Sequence, residues 1–187
     1  MQSKMKWWAF FAVTLTIVFG AWLAIKPSKE YELLIAIQSK NKIAAKKMLL
    51  SGDIDMNAKL GGDKRTFLHA AVEQHDFETL KLLLKLGAVV DATNSHNETP
   101  LYIAAYQQDT NMVSLLLNNG ANPNFADSEY GYYPLFFTVK NQNTAASSIL
   151  LRHGASPCIQ TKSGLTAYSL AVQKNLNELA AEMPTCK

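Results

Sequence analysis

The chain has few of the residues that carry chemistry. Its two cysteines, Cys158 and Cys186, form no Cys-x-x-Cys pair, and there is no glycine-rich phosphate loop and no Gly-x-Ser-x-Gly elbow. The four histidines, His69, His75, His96 and His153, share no helical ligand spacing. His153 and Cys158 flank a turn, which does not make a metal site. Aspartate and glutamate fall mostly at helix starts and hairpins, where capping accounts for them. These absences argue against an enzyme and give no catalytic residue, no cofactor and no metal. Excess charge is scarce too. Lysine plus arginine number 18 and acidic residues 15, and Lys4, Lys6 and Lys26 precede residue 27, so the remainder is formally neutral. A neutral domain gives nucleic-acid binding little support.

Long apolar runs are absent except for one. Residues 7–25, WWAFFAVTLTIVFGAWLAI, are 19 uncharged residues, about what a helix needs to cross a ~30 Å hydrocarbon layer. Trp7, Trp8 and Trp22 stand near its ends, where amphipathic rings favour headgroups. The expectation is a short tail at 1–6 and a transmembrane signal anchor at 7–25. A cleaved signal peptide has a shorter apolar core and small residues at its exit, whereas Phe19 and Trp22 occupy those places here. No cysteine lies nearby to carry a lipid. A buried helix of the globular domain is also disfavoured, because the run is apolar on every side and the repeated units of the rest of the chain already bury their own faces. Lysines on the two flanks are nearly balanced, but a six-residue tail is easily retained inside. The favoured arrangement is a bacterial inner-membrane protein with its domain in the periplasm. Ala12, Thr16, Gly20 and Ala24 fall at four-residue steps, a stripe that suits a weak homodimer of spans.

The rest of the chain is organised like its stretch from Thr99 to Asn124. Thr99 and Pro100 open a short helix with Leu101, Ala104 and Ala105 on one face. Asp109 and Thr110 open a second, with Met112, Val113, Leu115, Leu116 and Leu117, and Gly120 closes it. Helices this short need copies to bury their faces. The copies are there: Leu33, Leu68, Leu101, Leu135 and Tyr168 recur at 35, 33, 34 and 33 residues, as do Gly52, Gly87, Gly120 and Gly154.

With TFLHAA at 66–71, TPLYIAA at 99–105, LLLKLGAVVDA and LLLNNGANPN, the chain resembles the ankyrin repeat family. That resemblance implies an all-α solenoid of about five helix-turn-helix repeats with hairpin loops over 30–183. The repeats are placed at 30–58, 64–93, 97–126, 131–160 and 164–183. Only His69 keeps the family's usual histidine; Tyr102, Phe136 and Ser169 replace it, which predicts weaker hairpin anchoring in those repeats. A bond between Cys158 and Cys186 would pin the MPTCK tail to the last repeat and suits an oxidising compartment; two unrelated free thiols are the alternative. Lys40, Lys42, Lys46 and Lys47 make the first repeat basic, either as a solvated cap or as a face near anionic lipid.

Members of the family bind proteins through hairpin tips and the exposed side of each first helix. By position this implies a partner-binding set of Arg65, Glu73 and Gln74, then His96, Glu98, Tyr106 and Gln107, then Glu129, Tyr130, Tyr132, Lys140 and Asn141. The tip ADSEYGYY exposes up to three tyrosines, with Tyr132 either outward or packed in its own hairpin. The expected function is a non-catalytic, membrane-anchored protein-interaction module. It would serve as a periplasmic immunity protein against a toxic enzyme, as a scaffold for a resident envelope protein, or as a self-associating structural component.

Overall fold

Ten short helices form in the computed structural model, which describes residues 27–186. The five first helices are α1 (Lys29–Gln38), α3 (Phe67–Glu73), α5 (Pro100–Tyr106), α7 (Pro134–Lys140) and α9 (Ala167–Gln173). Each is followed by a second helix: α2 (Lys42–Leu50), α4 (Phe77–Lys85), α6 (Thr110–Asn118), α8 (Thr144–Arg152) and α10 (Asn177–Ala181). The expected span at 7–25 and its stripe Ala12, Thr16, Gly20 and Ala24 lie outside the described residues. Among those described, no helix is long and apolar enough to cross a membrane, and the only extended pairing is an isolated antiparallel bridge between Leu60 and Arg65.

Helices of seven to ten residues are marginal alone in water. What holds them is the repeated leucine: Leu33, Leu68, Leu101 and Leu135 are all essentially inaccessible. The small pairs Ala70-Ala71 and Ala104-Ala105 are equally buried and let successive first helices approach closely. Stacking therefore runs α1, α3, α5, α7, α9 in sequence, with the second helices forming a parallel layer.

The turn between the helices of a pair is built the same way five times. Lys40, His75, Gln108, Gln142 and Asn175 all take a left-handed backbone, φ 54° to 62°. The next residue caps the second helix, with Asn41, Asp76, Asp109 and Asn143 each accepting from the backbone N–H three residues on. In the fifth repeat that cap is Leu176, which offers no acceptor, and α10 has only five residues. At the other end of the second helices, Gly52, Gly87, Gly120 and Gly154 have φ of 76° to 88° with nothing within 4 Å of an added Cβ, so backbone conformation and not space calls for glycine there.

Neighbouring repeats are also joined by polar bonds. Asn57 accepts from the Val89 N–H at 2.8 Å, Asp91 from Asn122 at 3.0 Å, and Asn124 from Ser156 at 2.8 Å. At the hairpin tips the Ser95 N–H donates to the Asp63 carbonyl, Ser128 to His96, and Lys162 to Tyr130. The first four repeats are thus joined by three hydrogen-bonded rungs beyond the second helices, and the four hairpin tips by three more.

The weak last repeat is closed covalently. Cys158 and Cys186 are disulfide-bonded with Cα atoms 5.3 Å apart, and Met183 and Leu179 are buried under the tail. Closing a loop of 28 residues stabilises the folded state by about 3 to 4 kcal/mol in the chain-entropy account. Replacing Cys186 with Ser, or adding reductant to the wild type, is expected to lower unfolding free energy in urea by about that amount, with the loss in the variant insensitive to reductant.

Candidate functional site

The side on which the first helices and hairpins face solvent carries a cluster of aromatic side chains between the third and fourth repeats. Its floor is Phe136 and Phe137, both nearly inaccessible. Tyr132 stacks on Phe136 with centroids 4.8 Å apart and 7° between planes. Tyr130 stacks on Tyr132 in turn at 5.3 Å. From the third repeat, Tyr102 and Tyr106 both meet Phe137 edge-on, at 5.1 and 5.2 Å. The Lys140 ammonium lies 5.7 Å from the Tyr132 ring centre. Tyr106 and Tyr130 remain 62% and 51% exposed at the top of this stack, so the cluster offers two outward tyrosines held in place from below.

One carboxylate shapes the hairpin that carries Tyr130 and Tyr132. Asp127 is buried and accepts the backbone N–H groups of Glu129, Tyr130 and Tyr132 at 2.8, 2.6 and 2.7 Å. The Tyr102 hydroxyl donates at 3.2 Å to Oδ2, the oxygen that also accepts from Tyr132, and burial together with that nearby carboxylate pushes the Tyr102 phenol well above its usual range. Asp127 corresponds by position to Asn94 and Thr161, which close the neighbouring hairpins in the same manner through Glu98 and Leu165.

The hairpins replace the missing histidines by other means. In the second repeat His69 Nδ1 accepts from the Thr66 N–H at 3.1 Å and Nε2 donates to the Glu98 carbonyl at 3.0 Å. Tyr102 instead reaches Asp127. Phe136 cannot hydrogen-bond, but the fully buried Tyr133 donates to the Ile159 carbonyl at 2.9 Å and accepts from the Ala167 N–H at 2.9 Å. Ser169 completes a reciprocal cap with Thr166. The expected loss of anchoring is therefore made good. Of the up to three tyrosines expected to be exposed at this tip, Tyr133 is inside, its hydroxyl bonded to the backbone at the end of its own repeat and at the start of α9 in the next.

Beside the aromatic cluster runs a shallow groove of about 380 Å³ lined by Glu73, Glu98, Tyr102, Ile103, Tyr106 and Gln107. Arg65 closes one end, with its guanidinium 2.8 Å from Glu73. Burial raises the Glu73 carboxyl, partly offset by Arg65. The structure thus brings Arg65, Glu73, Glu98, Tyr106 and Gln107 together, and Tyr130, Tyr132 and Lys140 next to them. Gln74 and Asn141 sit apart as the residues ending α3 and α7. His96 and Glu129 serve their hairpins through the main chain, His96 by accepting from Ser128 and Glu129 by donating to Asp127.

Phe137, Tyr102 and Asp127 belong to the site but were not among the expected contacts. The pair Phe136-Phe137, falling one repeat after Tyr102-Ile103, is the trace they leave in the sequence. A larger depression, about 490 Å³, lies between α4 and α6, lined by His75, Phe77, Asp109, Met112 and Leu115 among others. His75 Nδ1 donates there to Asp109 at 3.1 Å, and none of the expected contact residues is in it. Among the described residues no three histidine, cysteine or acidic side chains converge as metal ligands.

Burial lowers the His69 imidazole from 6.5 to about 4, so it is neutral in the fold while the unfolded chain takes up a proton near pH 6.5. Stability from this residue is complete above that pH and is lost as pH falls toward 4. Between pH 7 and pH 4.5 the wild type should lose about 2 to 3 kcal/mol more than His69→Gln in urea unfolding. Equal losses would show that His69 is not held neutral.

Comparison with known proteins agrees with this architecture. A family model described as ankyrin repeats in three copies matches residues 33–127, just over half of the chain. The chain is 36% identical over 94 residues to the nuclear factor NF-kappa-B p105 subunit of Gallus gallus, covering 50% of this chain and 10% of that protein. It is 33% identical over 82 residues to the E3 ubiquitin-protein ligase KEG of Arabidopsis thaliana, covering 44% and 5%. To ankyrin repeat and SOCS box protein 16 of Homo sapiens it is 26% identical over 110 residues, covering 59% and 24%. The chain therefore spans a quarter or less of the length of these relatives. With the helix pairs, the capped turns and this match in agreement, the chain belongs to the ankyrin repeat family.

Proposed function

We propose that this chain is a non-catalytic recognition module whose partner is a protein seated on the Tyr106–Tyr130–Tyr132 surface and the adjoining Glu73–Glu98 groove. The observation that carries the reading is the exposure of Tyr106 and Tyr130 at 62% and 51% above a buried aromatic floor. Rigid tyrosines bring contact area at low entropic cost and concentrate binding energy at interfaces. Charged groups rim the patch, with Arg65 and Glu73 on one side and Lys140 on the other. Such a rim sets orientation and partner choice more than affinity. Ankyrin repeats generally act through protein–protein contact, and nothing in this surface calls for bond chemistry.

The finer reading places the module on the outer side of a bacterial inner membrane, anchored by residues 7–25, as an immunity protein that occludes a toxic enzyme. The 19-residue uncharged run supports the anchor, and the Cys158–Cys186 bond, which persists in oxidising compartments, supports that side of the membrane. A scaffold for a resident envelope protein uses the same surface and differs in what is bound.

Affinity capture with full-length wild-type bait and with Tyr106→Ala/Tyr130→Ala bait tests the recognition surface. A partner retained by the wild type should be lost from the variant, each substitution costing about 2 kcal/mol of binding with the urea midpoint unchanged. Equal capture by both baits contradicts the surface. Suppression of the captured protein's enzymatic activity supports immunity, and capture of a non-enzymatic envelope component supports the scaffold. An impermeant thiol reagent should label intact cells only after reduction; labelling that also requires broken membranes contradicts the periplasmic placement.

A further inference from the structure

The first repeat ends the stack with side chains that its siblings do not use. Ile43 occupies the position of Glu78, Asn111, Ala145 and Glu178, and Leu50 that of Lys85, Asn118 and Arg152. Both are open to solvent, Ile43 at 85%. On α1, Tyr31 and Ile35 stand where Thr66 and Ala70 of the second repeat are buried under the first. With no described repeat before them, they too are exposed. Ile43 and Leu50 lie on the outer face of α2, a face that second helices leave open to solvent in every repeat, while Tyr31 and Ile35 lie at the end of the stack. Terminal repeats ordinarily turn a polar face outward, so the first repeat carries an unusual amount of uncovered apolar surface on two faces.

The same repeat is basic. Between residues 29 and 52 there are five lysines and two glutamates. Lys29 is paired with Asp53 at 2.9 Å and Lys42 lies 3.7 Å from Asp76. Lys40, Lys46 and Lys47 are exposed, and no ion pair engages them among the described residues. Lys47 falls between Ile43 and Leu50 at i+4 and i+7 on one face of α2. Lys81 and Lys85 of α4 extend the charge, lining with Lys42 and Lys46 a depression of about 410 Å³.

We propose that the outer face of α2 seats on an anionic bilayer surface, with Ile43 and Leu50 entering the headgroup layer and Lys46 and Lys47 between them meeting lipid phosphates and carboxylates. The inference rests on the membrane-anchor reading and adds the surface that meets the lipid. The uncharged run ends at residue 25 and α1 begins at Lys29, so at most about 14 Å of chain separates them. That tether keeps the first repeat within reach of headgroups once the run is inserted. Other covers fit less well. A second copy apposed through the same face would set its lysines against these. Residues 7–25 folded back would meet the apolar groups and leave the lysines unmatched, having no charge of their own.

The test uses the full chain with Ile43→Cys carrying an environment-sensitive fluorophore, both native cysteines being bonded. It is reconstituted in phosphatidylcholine vesicles with or without phosphatidylserine. With phosphatidylserine the emission should shift to the blue and resist aqueous iodide, and with phosphatidylcholine alone it should not. A label on Val172→Cys, in the last repeat, should stay in water in both. Changing Lys46 and Lys47 together to Gln should weaken the docked state about 30-fold, at roughly 1 kcal/mol per lysine, while the chain still floats with the vesicles. A chain that floats with its residue-43 label always in water overturns the proposal and spares the anchor. Burial of the label regardless of lipid charge assigns the cover to residues 7–25, and burial that grows with protein per vesicle assigns it to a second copy; either overturns the proposal. A chain that does not float defeats the anchor and the proposal together.

Discussion

Everything in this molecule depends on the inability of one helix pair to bury its own apolar face. A first helix of seven residues has room for one leucine and a pair of small residues on its inner side, as in Leu101 with Ala104 and Ala105. Those groups leave water only when the next repeat is laid against them. Side chains that bridge repeats, such as Asn57, Asp91 and Asn124, fix the angle at which that happens. The stack is consequently strong where neighbours exist on both sides and needs special provision at its ends.

The two ends are provided for differently. At the last repeat the helix is short, its cap is lost at Leu176, and the Cys158–Cys186 bond takes over from packing. At the first, polar caps are intact at Ser28 and Asn41, and large apolar side chains are left facing outward among lysines. Between them the proposed binding surface is held by its buried support: Asp127 fixes the hairpin and Phe136 and Phe137 fix the rings. A preformed surface of this kind loses little entropy on binding.

Much of this was legible in the sequence because a repeat is read by comparison with itself. The recurrence of Leu33, Leu68, Leu101 and Leu135 located each first helix, and the glycines located each second-helix end. The left-handed turns at Lys40, His75, Gln108, Gln142 and Asn175 share no residue type, so only their place in the repeat marks them. Positions also told which tyrosines stand near one another, but not which point outward. Tyr133 and Tyr132 are adjacent in an aromatic run, and a hydrogen bond from the Ala167 N–H of the following repeat goes to the hydroxyl of Tyr133, the buried one. Such long-range partners leave no local periodicity to read.

On the proposed reading, recognition is confined to the aromatic side of the third and fourth repeats. A photoreactive amino acid placed in living cells at position 106, 130, 111 or 148, one site per strain, tests it directly. Positions 106 and 130 lie on the aromatic cluster, 111 beside the depression between α4 and α6, and 148 on the second-helix layer. The account predicts one common protein adduct from positions 106 and 130 and none from 111 and 148. Adducts of that protein from 111 or 148, with 106 and 130 silent, would move recognition to the opposite side of the solenoid and contradict it.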